Sequence, residues 1–120
     1  HGNFDEESGQ AAMSALLALD EPPTAVFIAS DMVAMGALRT LREEGVRAPE
    51  DIAVVGFDDI TAARFITPAL TTVQVPTFGL GWSATELLIR IIEQDTPNKT
   101  QVLLDTELVV RESCGAATTN

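Results

Sequence analysis

Along this chain, apolar residues alternate between short unbroken runs and helical spacing, with Pro, Gly or acidic residues at the changes. From Asp5, Ala12, Met13, Leu16, Leu17 and Leu19 recur at largely helical spacing, with acidic residues in the first turn where they favour the helix dipole. Asp20 to Pro23 ends that helix, since proline neither continues a helix nor follows a helical residue comfortably. Thr24 to Ala29 then reads as a buried strand, followed by Ser30 and Asp31. A second helix runs through Met32, Met35, Leu38 and Leu41, with Gly45 expected as its C′ residue.

Ile52 to Asp59 is a β-branched run without alternation that ends in a glycine, an aromatic residue and two carboxylates. It reads as a strand buried on both faces, the kind that fills parallel sheets. Ile60 to Phe65 is a short helical or irregular piece broken by Ile66 to Pro68, and Leu70 to Val75 is a further strand ended by Pro76. A third helix is expected from about Gly79 to Gln94, with Leu80, Ala84, Leu87, Leu88, Ile91 and Ile92 forming an apolar stripe. That stripe is broad for so small a domain and points to packing on something outside this chain. After a turn at Asp95 to Asn98, Val102 to Leu104 and Glu107 to Arg111 read as strand pieces with a bulge at Asp105 and Thr106, and Ser113 to Asn120 as a frayed end. Strands alternating with helices over short connections define an α/β fold, a parallel sheet with helices on both faces.

At 120 residues and 46% hydrophobic, the chain suits a single core. Seven basic residues against eighteen acidic ones give a net charge of −11, which opposes binding of this chain itself to nucleic acid or anionic membranes. Cys114 stands alone, so no intramolecular disulfide forms, and there is no Cys/His cluster for zinc. No apolar run approaches a membrane span and no signal-peptide pattern opens the chain. The chain starts at His1 in mid-pattern, which suggests a fragment or processed chain, with His1 a cut end and not a ligand. Asn98 to Thr100 matches a glycosylation sequon by chance.

In open α/β sheets ligands bind beyond the carboxyl ends of the strands, which directs attention to Ser30, Asp31, Asp58 and Asp59. Each also has a plain structural role open to it: Ser30 or Asp31 as the N-cap of the second helix, Asp58 or Asp59 as a turn residue. Phe4 either staples the first helix or presents its ring to a ligand, and packing is the first expectation. The methionines are core or a subunit contact. No phosphate-binding glycine loop, Walker lysine or usable histidine is present, which argues against nucleotide hydrolysis and catalytic triads. One enzymatic alternative is a magnesium-dependent or phosphoryl-accepting site built from Asp31, Asp58 and Asp59.

Taken together, FDEESGQAAMSALL, PPTAVFIASDMVAMGALRTLREEGVRAPEDIAVVGFDD and TPALTTVQVP resemble, in order and over nearly the whole chain, the C-terminal part of the effector-binding domain of LacI/GalR-type transcriptional repressors. The resemblance implies one lobe of a periplasmic-binding-protein-like type I fold, with residues 1–120 forming a partial effector-binding domain, mostly the second lobe. About 77–97 then packs with a first lobe that this chain lacks, and DNA contact requires a helix-turn-helix domain it also lacks. The implied partners are a small-molecule effector, a sugar or nucleobase, and a second copy of the protein; the implied setting is cytoplasmic, with no cofactor and no catalysis.

Residue by residue, the resemblance implies that Phe4 stacks on the ligand, Ser30 hydrogen-bonds it, and Asp58 accepts from its hydroxyl or amide groups. Val75 stands where many relatives carry glutamine, removing one polar contact. Met35, Leu38, Phe65 and Ile66 fall on the implied dimer contact. A rival reading, the same lobe in an exported sugar-binding protein, shares all of these residues.

Overall fold

A computed structural model describes residues 2–93 and 100–116. His1, the Asp95 to Asn98 turn and the Asn98 sequon lie outside the described residues. The element order is α1 (Glu6–Leu17), β1 (Ala25–Phe27), α2 (Asp31–Glu43), β2 (Ala53–Asp58), a 3-10 turn η1 (Thr61–Arg64), β3 (Thr71–Gln74), α3 (Thr77–Ile92) and β4 (Glu107–Val109). The chain divides into two units, His1–Gln74 with Leu108–Asn120, and Val75–Glu107.

In the first unit, β1, β2 and β3 pair in parallel, with Ala25 beside Ala53 and Val55 beside Thr71, and β2 in the middle. The four-stranded sheet runs β1-β2-β3-β4, and β4 makes it mixed. As its unbroken apolar run predicts, β2 is central: Ile52 and Val54 join Met13, Ala34, Ala37, Leu41 and Leu70 in the core. α1 starts on Asp5, whose carboxylate accepts the Ser8 amide at 2.9 Å, and the Ser8 side chain, followed by that amide, lowers the Asp5 pKa. α1 and α2 approach closely through paired glycines. A Cβ on Gly9 would collide with the Val33 carbonyl, and one on Gly36 with the Glu6 carbonyl. Gly45 adopts φ 71 just beyond the C-cap of α2, the left-handed C′ conformation expected of it.

Three expectations need correction. β1 is not buried: Ala25 and Phe27 are exposed, Phe27 at 64%, and its ring meets Phe57 edge-on at 6.5 Å. The reason is position, since an edge strand has one neighbour and periodicity says nothing about which strand stands at the edge. The chain end is not frayed from Ser113. Ser113 is fully buried, its Oγ donates to the Val54 carbonyl at 2.6 Å and accepts the Thr71 amide at 2.9 Å, and its carbonyl takes the Val54 amide at 2.8 Å. Ser113 thus fills the gap beside β2 where β3 has not yet begun. Finally, Val102 to Leu104 forms no strand, so no bulge arises at Asp105 and Thr106.

The second unit carries α3, which begins at Thr77, directly after Pro76 and two residues earlier than its apolar spacing suggests. None of its residues is buried, and Phe78 and Trp82 stack one turn apart with centroids 6.4 Å apart. Among the described residues no helix is long and apolar enough to cross a membrane.

Candidate functional site

The first unit brings Ser30, at the carboxyl end of β1, and Asp58, at the carboxyl end of β2, to the same edge of the sheet. The chain reverses sharply there, because Asp58 and Asp59 both take positive φ, 120 and 57. Two consecutive non-glycine residues in that region are uncommon and persist only where surroundings hold them. Burial, and then the neighbouring Asp31 carboxylate, push the Asp58 carboxyl above its ordinary value, while the Asp31 backbone amide opposes them. The result is a half-buried carboxylate at a strand end to which no described side chain donates.

Asp31 corrects a second set of expectations. It is the first residue of α2, and Ser30 occupies the cap position in extended conformation without a side-chain capping bond. The Asp31 side chain is fully buried and turns back over the sheet. Its Oδ1 accepts the Thr72 hydroxyl at 2.6 Å and its Oδ2 the Ile60 amide at 2.9 Å. It lies against Gly56, where an added Cβ would strike Oδ1. A glycine inside a strand marks a close approach, and here the approaching group is a carboxylate.

Asp59 points elsewhere, its side chain 2% exposed. Arg111 donates to its Oδ1 at 2.6 Å, Gln74 to its Oδ2 at 3.2 Å, and Arg64 stands 3.8 Å from the same oxygen. Arg111 also binds the Leu70 carbonyl at 2.8 Å, so the return segment is fastened to β3 and to the turn after β2. Asp31, Asp58 and Asp59 therefore do not converge. No group of three or more metal-ligating side chains occurs among the described residues, and the alternative of an acidic magnesium site loses its geometry.

The remaining expected ligand residues are placed as follows. Phe4 immediately precedes the Asp5 cap and is 79% exposed, so it does not staple α1; its ring is free. Ser30 is 5% exposed and offers little surface. Val75 opens the second unit. Met35, Leu38, Phe65 and Ile66 come together around one groove of about 390 Å³, bordered by Glu6, Arg39 and Arg42. Within it Phe65 is 77% exposed, whereas Leu38 belongs to the core. Sequence reading missed the fastening roles of Asp31, Thr72, Arg111 and Ser113; Gly56 was the available signal for Asp31, and no local pattern announces the others.

The Asp58 carboxylate thus stands at the carboxyl end of the central one of three parallel strands, the end at which open α/β sheets bind ligands. The chain belongs to the periplasmic binding protein-like domain family, which matches residues 2–114. It is of the kind found in LacI-family regulators. It is 42% identical, over 98% of its length, to the probable HTH-type transcriptional repressor ExuR of Bacillus subtilis (strain 168), of which it covers 35%. Among solved structures it is similar to a putative transcriptional regulator LacI from Bacillus cereus subsp. cytotoxis NVH 391-98, with TM-score 0.91 and 31% identity, covering 95% of this chain and 40% of that one. It is also similar to the transcriptional regulator CelR in complex with cellobiose, with TM-score 0.87 and 45% identity, covering 93% of this chain and 34% of that one. The chain thus spans about a third of the length of the curated relatives it matches.

Proposed function

We propose that this chain is the effector-sensing and dimerisation part of a bacterial, cytoplasmic, DNA-binding transcriptional regulator, and that it performs no catalysis. The observation that carries the reading is Asp58: a half-buried carboxylate at the carboxyl end of the central parallel strand, free of side-chain partners while Asp31 and Asp59 beside it are fully engaged. Such a group accepts hydrogen bonds from adjacent hydroxyls of a sugar or from ring N–H groups of a base. Phe4 supplies a flat apolar face of the kind that covers a sugar ring, and Ser30 contributes a lesser contact. The cellobiose-bound relative supports a sugar as the ligand class.

Two further assignments belong to the same proposal. The groove around Met35, Phe65 and Ile66 meets a second copy of the protein, since a 77% exposed phenylalanine on a strongly acidic chain favours burial. The exposed apolar surface of α3 packs with the remainder of the regulator, and DNA is bound through a helix-turn-helix in that remainder. A thermal-shift screen of the protein against neutral mono- and disaccharides, cellobiose included, and nucleosides tests the central assignment. A ligand that binds only the folded state raises the melting temperature. A rise with a sugar or nucleoside is expected; no rise with any of them, together with tight magnesium binding, overturns the reading.

A further inference from the structure

We propose that Asp31, itself sealed from any ligand, is the positioning residue for the Asp58 carboxylate; this rests on the reading of Asp58 as the ligand-binding group. The left-handed turn at Asp58 and Asp59 needs to be held from outside, and beyond the pairing of Asp58 with Gln74 two main-chain bonds at the turn lead to one side chain. The Ile60 amide, just after the turn, donates to Asp31 Oδ2 at 2.9 Å. Within the turn, the Asp59 amide donates to the Thr72 hydroxyl at 3.4 Å, and that hydroxyl donates onward to Asp31 Oδ1 at 2.6 Å. Asp31 therefore grips the turn behind Asp58 with its side chain.

Simple packing of α2 on the sheet does not call for this residue. Ala34 and Ala37 do that work on the same helix, and a buried carboxylate is costly unless its hydrogen bonds are used. Gly56 leaves the space Asp31 occupies, at the central strand, two residues before Asp58. Thr72 supplies the hydroxyl from β3, one strand further across. Three elements are thus fitted around one carboxylate whose bonds all serve the turn.

The experiment uses no ligand, so it stands apart from the effector reading. The carboxyl titration of Asp58 by carbon NMR and the hydrogen exchange of the Ile60 amide are followed in the wild-type chain, in Asp31→Asn, and in the pair Thr72→Val and Thr72→Ser. Asp31 is the charged group that bears on Asp58, while Arg64 and Arg111 face Asp59. Asp31→Asn is expected to bring the Asp58 midpoint down toward its ordinary value. Thr72→Val is expected to speed Ile60 exchange by about tenfold and to move the Asp58 midpoint, with Thr72→Ser restoring both. Should Asp31→Asn fail to fold, the Thr72 pair decides alone. A folded Thr72→Val chain with wild-type Ile60 protection and wild-type Asp58 titration overturns the proposal, whatever Asp58→Ala does to ligand affinity.

Discussion

The Thr72 hydroxyl donates to Asp31 Oδ1 at 2.6 Å beside the bare backbone of Gly56, so that α2, β2 and β3 are joined at one buried carboxylate. A methyl group on Gly56 would strike that oxygen and, at 3.0 Å, the Leu70 side chain. Gly56→Ala should gain a little from reduced chain entropy but lose more by displacing Asp31, with a net destabilisation of about 2–3 kcal/mol. Urea unfolding checks this. A midpoint at or above wild type would mean that the space at Gly56 is not needed.

Asp59→Ala should act on stability. It leaves the Arg111 guanidinium, 14% exposed, without its 2.6 Å partner and unfastens the return segment from the turn. Removing one member of a buried pair costs about 3 kcal/mol, far above the value of an exposed ion pair such as Arg39–Glu43. Denaturant titrations of Asp59→Ala and Glu43→Ala should therefore differ widely, the second lying close to wild type. Equal midpoints would show that Arg111 finds another partner.

The outline of this site was legible in the sequence, and its fastening was not. Ile52 to Asp59 announced a central strand ending in carboxylates through its unbroken apolar run, although only the face of Val54 and Gly56 is buried and the face of Ala53, Val55 and Phe57 is half-buried. Phe27 was misjudged because it sits on an edge strand whose composition equals that of an inner one. Asp31 follows a strand and opens a helix, the place where a cap is expected, and only its turn toward Gly56 and Thr72 distinguishes a buried anchor from a cap. Arg111 reaches Asp59 across 52 residues of sequence, a pairing that no local period encodes. Ser113 lies in a small polar tail, where composition suggests fraying, yet its hydrogen bonds to Val54 and Thr71 bury it.

Asp58 gives stability a dependence on pH. Burial and then the Asp31 carboxylate raise its pKa in the folded chain, so it holds its proton more tightly there than when unfolded. Its favourable contribution is fully present below the ordinary carboxylate value and is lost as pH rises through the folded value. At neutral pH the ionised Asp58 is a standing cost. Asp58→Asn should thus unfold at higher urea than wild type at neutral pH, and the gap should close in acid. A wild-type chain more stable than Asp58→Asn at neutral pH would contradict this.

Phe65 offers the most direct check on self-association, since it is 77% exposed on the groove it shares with Met35 and Ile66. Phe65→Asp should weaken dimers by at least about 2 kcal/mol, roughly thirtyfold, because it puts a desolvated charge where an aromatic anchor stood. Sedimentation equilibrium of the protein at the full length of its relatives measures the change. A monomeric wild type at high concentration would remove the basis for this contact.

The central claim is that Asp58 anchors the effector, and calorimetric titration of wild type, Asp58→Ala and Asp58→Asn with the sugar or nucleoside found by the thermal-shift screen tests it most directly. Asp58→Ala is expected to lose its charge-assisted hydrogen bonds, about 1.5–3 kcal/mol or one to two decades in affinity, with Asp58→Asn between it and wild type. Affinity in Asp58→Ala equal to that of wild type would contradict the account.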